Sequence, residues 1–350
     1  MESQTRRAAP TLFWQRAGLR AGLAFGTAAG RPIEAAGQRM DPVMSALIRF
    51  VRKMPKGGAG ATMPGAAGLQ AFRKQYEAAP PLTGLHPDPE VLPREVPGLP
   101  GALEYVSGTP QDTPRGTMLY LHGGGFIMGN PVTRDALCRR LARLAGVRVI
   151  NAPYRLAPEH PFPAAHDDAA AAWAWVRANR PGPHLAGGDS AGANLAAGLP
   201  GAALTLLLYP VVDMVAEPDG QPPRYPSIGL FSDGFLLTAE GMEECARMVA
   251  PAGTDRGDPR LSPIRGVLEQ AAPSVVVAAG FDPLRDQGRA WVEALHRAGR
   301  PAWLLEEPGL VHGFADFAGV VPAARRAVDR AAEAVRERLA GLAAGSLETR

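Results

Sequence analysis

From residue 117 onward, short apolar runs alternate with longer segments whose apolar positions recur at helical spacing. The runs at 118–121, 147–150, 183–187, 204–209, 274–279 and 302–306 are bounded by Gly, Pro or polar residues. They predict buried strands, and 103–107 predicts an edge strand. The segments 134–145, 167–179, 191–199, 238–249, 286–298 and 320–342 predict helices, the third rich in Ala and Leu. Strands alternating with helices imply a mostly parallel sheet covered on both faces, an α/β fold. No internal repeat is present. Upstream the pattern is weaker. Residues 1–37 are rich in Ala, Gly and Arg, with Phe13 and Trp14, and read as a helical arm or a partly disordered extension. Asp41 and Pro42 mark a helix start, after which Val43, Leu47, Ile48 and Val51 share one face. A Gly/Ala-rich stretch at 56–68 reads as flexible, 69–76 as a second short helix, and the recurring prolines of 80–100 as an extended connector.

Composition narrows the function classes. The 350 residues suffice for one large α/β domain with a lid or for two modest domains. Hydrophobic residues at 46% and charged residues at 20% are those of a globular protein. The net charge is +3, carried mainly by scattered arginines without a basic block among aromatics, which argues against nucleic acid as a partner. Cys138 and Cys245 show no metal-ligand spacing and read as packed thiols. No run reaches the roughly 20 apolar residues of a membrane span. Residues 17–30 follow Arg6-Arg7 as a signal peptide would, but Arg20 interrupts them and 21–30 is weakly apolar. The expected compartment is the cytoplasm.

The strongest chemical signal is Gly188-Asp-Ser-Ala-Gly192, a G-x-S-x-G pattern between a predicted strand and a predicted helix. In a nucleophile elbow the serine occupies a sharp, strained strand-to-helix turn, so Ser190 is the candidate nucleophile. A serine needs a base, and the base an orienting carboxylate. Only His296 and His312 follow the elbow; His296 falls inside a predicted helix, whereas His312 lies in a Gly-bounded loop after a strand. Asp282 directly follows the apolar strand that ends near Phe281, where such folds place ligand-facing residues. Its rival, Asp286, opens the next helix and is more simply a cap or dipole partner. His122-Gly-Gly-Gly-Phe126 follows the strand 118–121, and consecutive glycines let backbone N–H groups approach an oxyanion. Gly123 and Gly124, with the N–H of Ala191, are the expected donors, and His122 is expected to brace the loop.

With these elements in order, the chain resembles the bacterial hormone-sensitive-lipase-like esterases, the GDSAG branch of the α/β-hydrolases. The segments 154–165 (YRLAPEHPFPAA), 282–286 (DPLRD) and 312–314 (HGF) are also similar to family signatures, and the resemblance runs from about 117 to the C-terminus. It implies an α/β-hydrolase fold whose mostly parallel sheet carries helices on both faces and a helical cap. Residues 1–90 would form the arm and cap helices and 91–350 the catalytic domain, with a cap insertion at about 213–258. It implies Ser190, Asp282 and His312 as the triad, no metal and no organic cofactor. The activity implied is hydrolysis of short- and medium-chain carboxylic esters through an acyl-enzyme. An amidase, lactone or carbamate hydrolase on the same triad is the alternative, and a non-catalytic binding module the remote one. The partner is a small-molecule ester, with no nucleic acid and no stable membrane insertion; a homodimer is left open. Phe231, Phe235 and Leu236 are candidates for an acyl pocket, with core packing as their other fate. Arg256-Gly-Asp258 spells an adhesion tripeptide by coincidence. Only residues 192–203 separate the elbow from the next strand, fewer than is usual in the family. The shortened helix is expected to leave sheet surface wet and the enzyme weakly stable or prone to associate.

Overall fold

The computed structural model describes residues 9–53, 66–108, 113–215 and 223–344. Its centre is an eight-stranded sheet: β1 (Arg94–Glu95), β2 (Leu103–Tyr105), β3 (Thr117–Leu121), β4 (Arg148–Asn151), β5 (His184–Asp189), β6 (Leu204–Leu208), β7 (Ser274–Phe281) and β8 (Ala302–Val311). The spatial order is β8-β7-β6-β5-β3-β4-β2-β1. β2 pairs antiparallel with β1 and β4, and every other pairing is parallel. The order reverses around β3, which lies between β5 and β4 with Leu119 opposite both Ala186 and Ile150. Such a switch point opens a crevice at the strands' C-terminal ends. All residues of β3, β6 and β7 are buried, which explains their unbroken apolar character.

Nine helices carry labels here: α1 (Ala9–Ala29), α2 (Pro42–Arg52), α3 (Ala66–Ala78), α4 (Asp135–Ala145), α5 (Ala164–Asn179), α6 (Ala191–Ala197), α7 (Ala239–Val249), α8 (Arg285–Arg297) and α9 (Pro322–Ala343). The apolar faces of α4 and α9 build one core with α2, and those of α5, α6 and α8 build the other. Asp41 caps α2 as its sequence predicts, Oδ1 accepting the N–H groups of Val43 and Met44 at 2.9 and 3.0 Å. The arm is a 21-residue helix tied to the body by polar contacts: Arg16 donates to the Gly84 carbonyl and Arg20 to that of Gly319. The proline-rich connector is less extended than expected, with a helical turn at Pro80–Thr83 before β1. The flexible stretch expected at 56–68 lies mostly outside the described residues. Among those described, no helix is long and apolar enough to cross a membrane.

The segment expected to form the cap insertion begins at Asp213, which ties several of its residues together. This buried carboxylate accepts from Arg224, Arg265, the Tyr225 hydroxyl and the Ser262 hydroxyl. Arg256 and Asp258 are bound within the chain, to Glu243 and Arg260.

The expectation of an uncovered sheet fails. α6 is short, seven residues, yet Ala191 to Ala196 are all buried and so is every residue of β6. Neighbours close the gap: Leu199 and Ala202 of the turn, Leu261 and Ala272 from the loop before β7, and Trp291 of α8 join the same core. Trp173 of α5, 3% exposed, donates its indole N–H to the Pro200 carbonyl at 2.9 Å and pins that turn. Trp173→Ala is therefore expected to cost about 3–5 kcal/mol of stability. Denaturant unfolding measures it, and a loss below 1 kcal/mol would mean that the turn is held without the indole.

Candidate active site

β5 ends at Asp189 and α6 begins at Ala191, so Ser190 must make the whole turn. Its φ of 53° and ψ of −115° lie where non-glycine residues rarely go, at a cost of about 1–3 kcal/mol. The flanking glycines permit the turn. A Cβ at Gly192 would run into the Leu121 carbonyl oxygen, and one at Gly188 into the backbone of Gly192. The Ser190 N–H donates to the Leu208 carbonyl at 2.9 Å, tying the elbow to β6.

His312 follows β8, and Asp282 follows β7. Across 122 residues of sequence, Ser190 Oγ lies 2.9 Å from His312 Nε2, and His312 Nδ1 lies 2.9 Å from Asp282 Oδ2. The carboxylate favours the proton on Nδ1, which leaves the Nε2 lone pair facing the serine. Asp282 is fully buried, and its other oxygen accepts the Leu284 N–H at 2.7 Å. Tyr209, held at φ 36°, packs its ring 4.9 Å from the imidazole. The rivals lie elsewhere. His296 bonds the Ala302 carbonyl, and Asp286 accepts the Ser227 N–H while pairing with Arg285 and Arg289.

The structure corrects one oxyanion assignment. The Gly123 N–H donates to Asp189 Oδ1 at 2.9 Å, so it is committed and cannot face a substrate. Gly123 must be glycine for a different reason, because a Cβ there would collide with the Asp189 carboxylate. Gly124 and Gly125, at φ 125° and 61°, turn the chain so that their N–H groups find no acceptor among the described residues. The Ala191 N–H at the start of α6 likewise has no acceptor among the described residues. The three available donors are Gly124, Gly125 and Ala191. His122 braces the loop, Nδ1 2.9 Å from the Gly123 carbonyl and its ring stacked on Tyr154 at 4.2 Å. Burial pushes the pKa of His122 down to about 4, which keeps it neutral.

Phe231, a pocket candidate, has no accessible surface. It packs edge-on to Phe235 and against Phe281, as a core side chain does. Phe235 is 7% exposed and Leu236 half-buried, which leaves these two with surface to offer a substrate. The Cys245 sulfur of α7 lies against Gly125, 2.8 Å from where a Cβ there would sit.

A buried charge cluster was not foreseen. Asp189 of the elbow motif is paired with Arg134, 3% exposed, which also reaches Asp316 beyond His312. Burial alone would raise Asp189, but Arg134 and bonds from Tyr120 and Gly123 outweigh it and its pKa is lowered. Asp316 is raised, by desolvation and by repulsion from Asp189, against the attraction of Arg134. One guanidinium serves two carboxylates, and Asp189 is the better bonded of the two. An aspartate at the end of an apolar strand was the available signal, because a buried carboxylate requires a cation.

The fold and this constellation define an α/β hydrolase, and residues 118–316 match the family described as alpha/beta hydrolase fold. The chain is 35% identical over 311 residues to the carboxylic ester hydrolase LipN of Mycobacterium tuberculosis, covering 82% of this chain and 80% of that protein. It is 37% identical over 250 residues to an ethyl acetate hydrolase of Pseudomonas putida, covering 66% and 76%. Among solved structures, a hyperthermophilic esterase from Pyrobaculum calidifontis superposes with a TM-score of 0.73 at 30% identity, covering 85% of this chain and 98% of that one. The chain belongs to the hormone-sensitive-lipase-like esterase family.

Proposed function

We infer that this protein is a carboxylesterase that hydrolyses short- and medium-chain carboxylic esters through an acyl-enzyme on Ser190. The observation that carries the reading is the unbroken path of 2.9 Å contacts from Ser190 through His312 to Asp282. His312 Nε2 takes the serine proton as Oγ attacks the ester carbonyl. The oxyanion meets the N–H groups of Gly124, Gly125 and Ala191, each such donor being worth about 10²–10³ in rate. Asp282 holds the imidazole and offsets its charge. The tetrahedral adduct then expels the alcohol, which takes the proton from imidazolium. Water attacks the acyl-enzyme by the same route and frees the acid. Relatives named carboxylic ester hydrolase and ethyl acetate hydrolase support the ester class and a small substrate. A binding module would have no need of an imidazole within reach of the serine.

Two measurements test this. A fluorophosphonate probe is expected to label the wild type and not Ser190→Ala. In a series of p-nitrophenyl esters, butyrate to hexanoate are expected to exceed palmitate. Failure to label would remove the serine mechanism, and faster hydrolysis of emulsified long-chain triglyceride would make the protein a lipase.

A further inference from the structure

The Arg134 guanidinium touches three separate parts of the molecule and reaches a fourth through Asp189. Nε lies 3.0 and 3.1 Å from the two Asp189 oxygens, and Nη2 lies 2.7 Å from Oδ2. Nη1 reaches Asp316 Oδ1 at 2.7 Å, and Nη2 also reaches the Tyr76 hydroxyl at 2.7 Å. Asp189 precedes the nucleophile. Its Oδ1 holds the Gly123 N–H, one residue before the unpaired donors of Gly124 and Gly125. Asp316 closes the turn Phe314–Phe317 that follows His312. Tyr76 belongs to cap helix α3, whose Arg73 binds the carbonyl of Ile127 just past the HGGGF loop. A planar fork with five fixed donors sets angles as well as distances, which an ammonium on a flexible stem does not.

We propose that Arg134 is a positioning residue that holds the oxyanion loop, the nucleophile elbow and the His312 loop in one register, and that Tyr76 ties this clamp to cap helix α3. The clamp acts through Asp189, Asp316 and the Gly123 N–H, without touching the substrate. It has an electrostatic part too. The Asp189 carboxylate lies beside the loop that receives the developing oxyanion, and without Arg134 its charge would oppose that oxyanion in a water-poor site. Both effects fall on the transition state more than on the bound ester, so kcat is the parameter at stake.

The proposal rests on the ester hydrolase reading, and the two fail separately. If the wild type does not turn over p-nitrophenyl butyrate, or Ser190→Ala retains that turnover, the function is wrong and not the clamp. Given turnover, kcat is measured per active site titrated to completion with a fluorophosphonate, for Arg134→Gln, Arg134→Lys and Tyr76→Phe. Titration separates misfolding, which lowers the number of sites, from misalignment, which lowers the rate at each. Arg134→Gln is expected to lose about 10²-fold in kcat per site, the usual result of small misplacements, with KM nearly unchanged. Arg134→Lys, which keeps the charge without the fork, is expected to recover part of that loss. Tyr76→Phe is expected to show a smaller loss of the same kind. Affinity for a trifluoromethyl ketone, which forms an anionic tetrahedral adduct on the serine, is expected to fall in parallel with kcat/KM. A kcat per site within about 3-fold of wild type in Arg134→Gln, or in Arg134→Lys should Gln fail to fold, would overturn the proposal, since even modest misalignment exceeds that. So would ketone affinity that stays constant while kcat falls.

Discussion

Asp282→Asn is expected to lower kcat by about 10⁴, the loss known when the orienting acid of a serine protease triad becomes an amide. The cause is local. Asp282 Oδ2 is 2.9 Å from His312 Nδ1, and the Leu284 N–H already occupies Oδ1. An amide in this place would turn its NH2 group toward the imidazole or toward the Leu284 N–H. In the first case Nδ1 becomes the acceptor and the proton moves to Nε2, where it blocks uptake of the serine proton. In the second, two donors meet at a fully buried site. Asp286→Asn is the matched control, since Asp286 serves the Ser227 N–H and two arginines and lies in the first turn of α8. Its removal is expected to loosen the short helix Pro226–Leu230 and leave kcat within about an order of magnitude, because Asp286 lies away from the chemistry. Steady-state kinetics on p-nitrophenyl butyrate decides between them, and a larger loss in Asp286→Asn would reverse the assignment.

The three residues of the candidate triad could be picked out because each sits at the end of a strand, where local pattern and position agree. A G-x-S-x-G between an apolar run and an Ala-rich helix, an Asp directly after Phe281 and a Gly-bounded His after a strand are all short-range signals. The oxyanion donors were legible as a loop but not as atoms. Which N–H is free depends on φ at Gly124 and Gly125 and on the neighbouring Asp189 carboxylate, and none of these is written in the run of three glycines. Arg134 was read only as the start of a helix, because its partners lie 55 and 182 residues away. Coverage of α6 was misjudged for a similar reason. The shortened segment was compared with a longer helix, while Trp173, Leu261 and Trp291 fill the space from elsewhere in the chain. The arm resisted reading because Arg16 and Arg20 fasten it through carbonyl oxygens, contacts that leave no apolar periodicity.

Stability is expected to fall steeply with acidification, by about 5 kcal/mol between pH 6.5 and 4 from two histidines alone. Burial lowers the pKa of both His122 and His166 to about 4, against an ordinary value of 6.5. His122 is stacked on Tyr154 behind the oxyanion loop, and His166 lies between Phe126 and Phe162. With the folded value below the unfolded one, both states are neutral above 6.5 and the histidines add no pH dependence. Between 6.5 and 4 the unfolded chain binds two protons that the folded one refuses. Each then costs about 1.4 kcal/mol per pH unit, and below 4 the loss levels off. Asp189, lowered through its bonds to Arg134, Tyr120 and Gly123, extends the loss to more acid pH. Asp316, raised by desolvation, works the other way and offsets part of it. A total of about 5–15 kcal/mol is typical of a folded domain, so the two histidines remove a large share of the stability by pH 4. Urea unfolding at pH 7, 6 and 5 measures the slope. His166→Gln should bring it from about two protons to about one, whatever its effect on stability at pH 7. An unfolding free energy that stays flat from pH 6.5 to 5 would mean that the histidines are protonated, or reach water, in the folded protein.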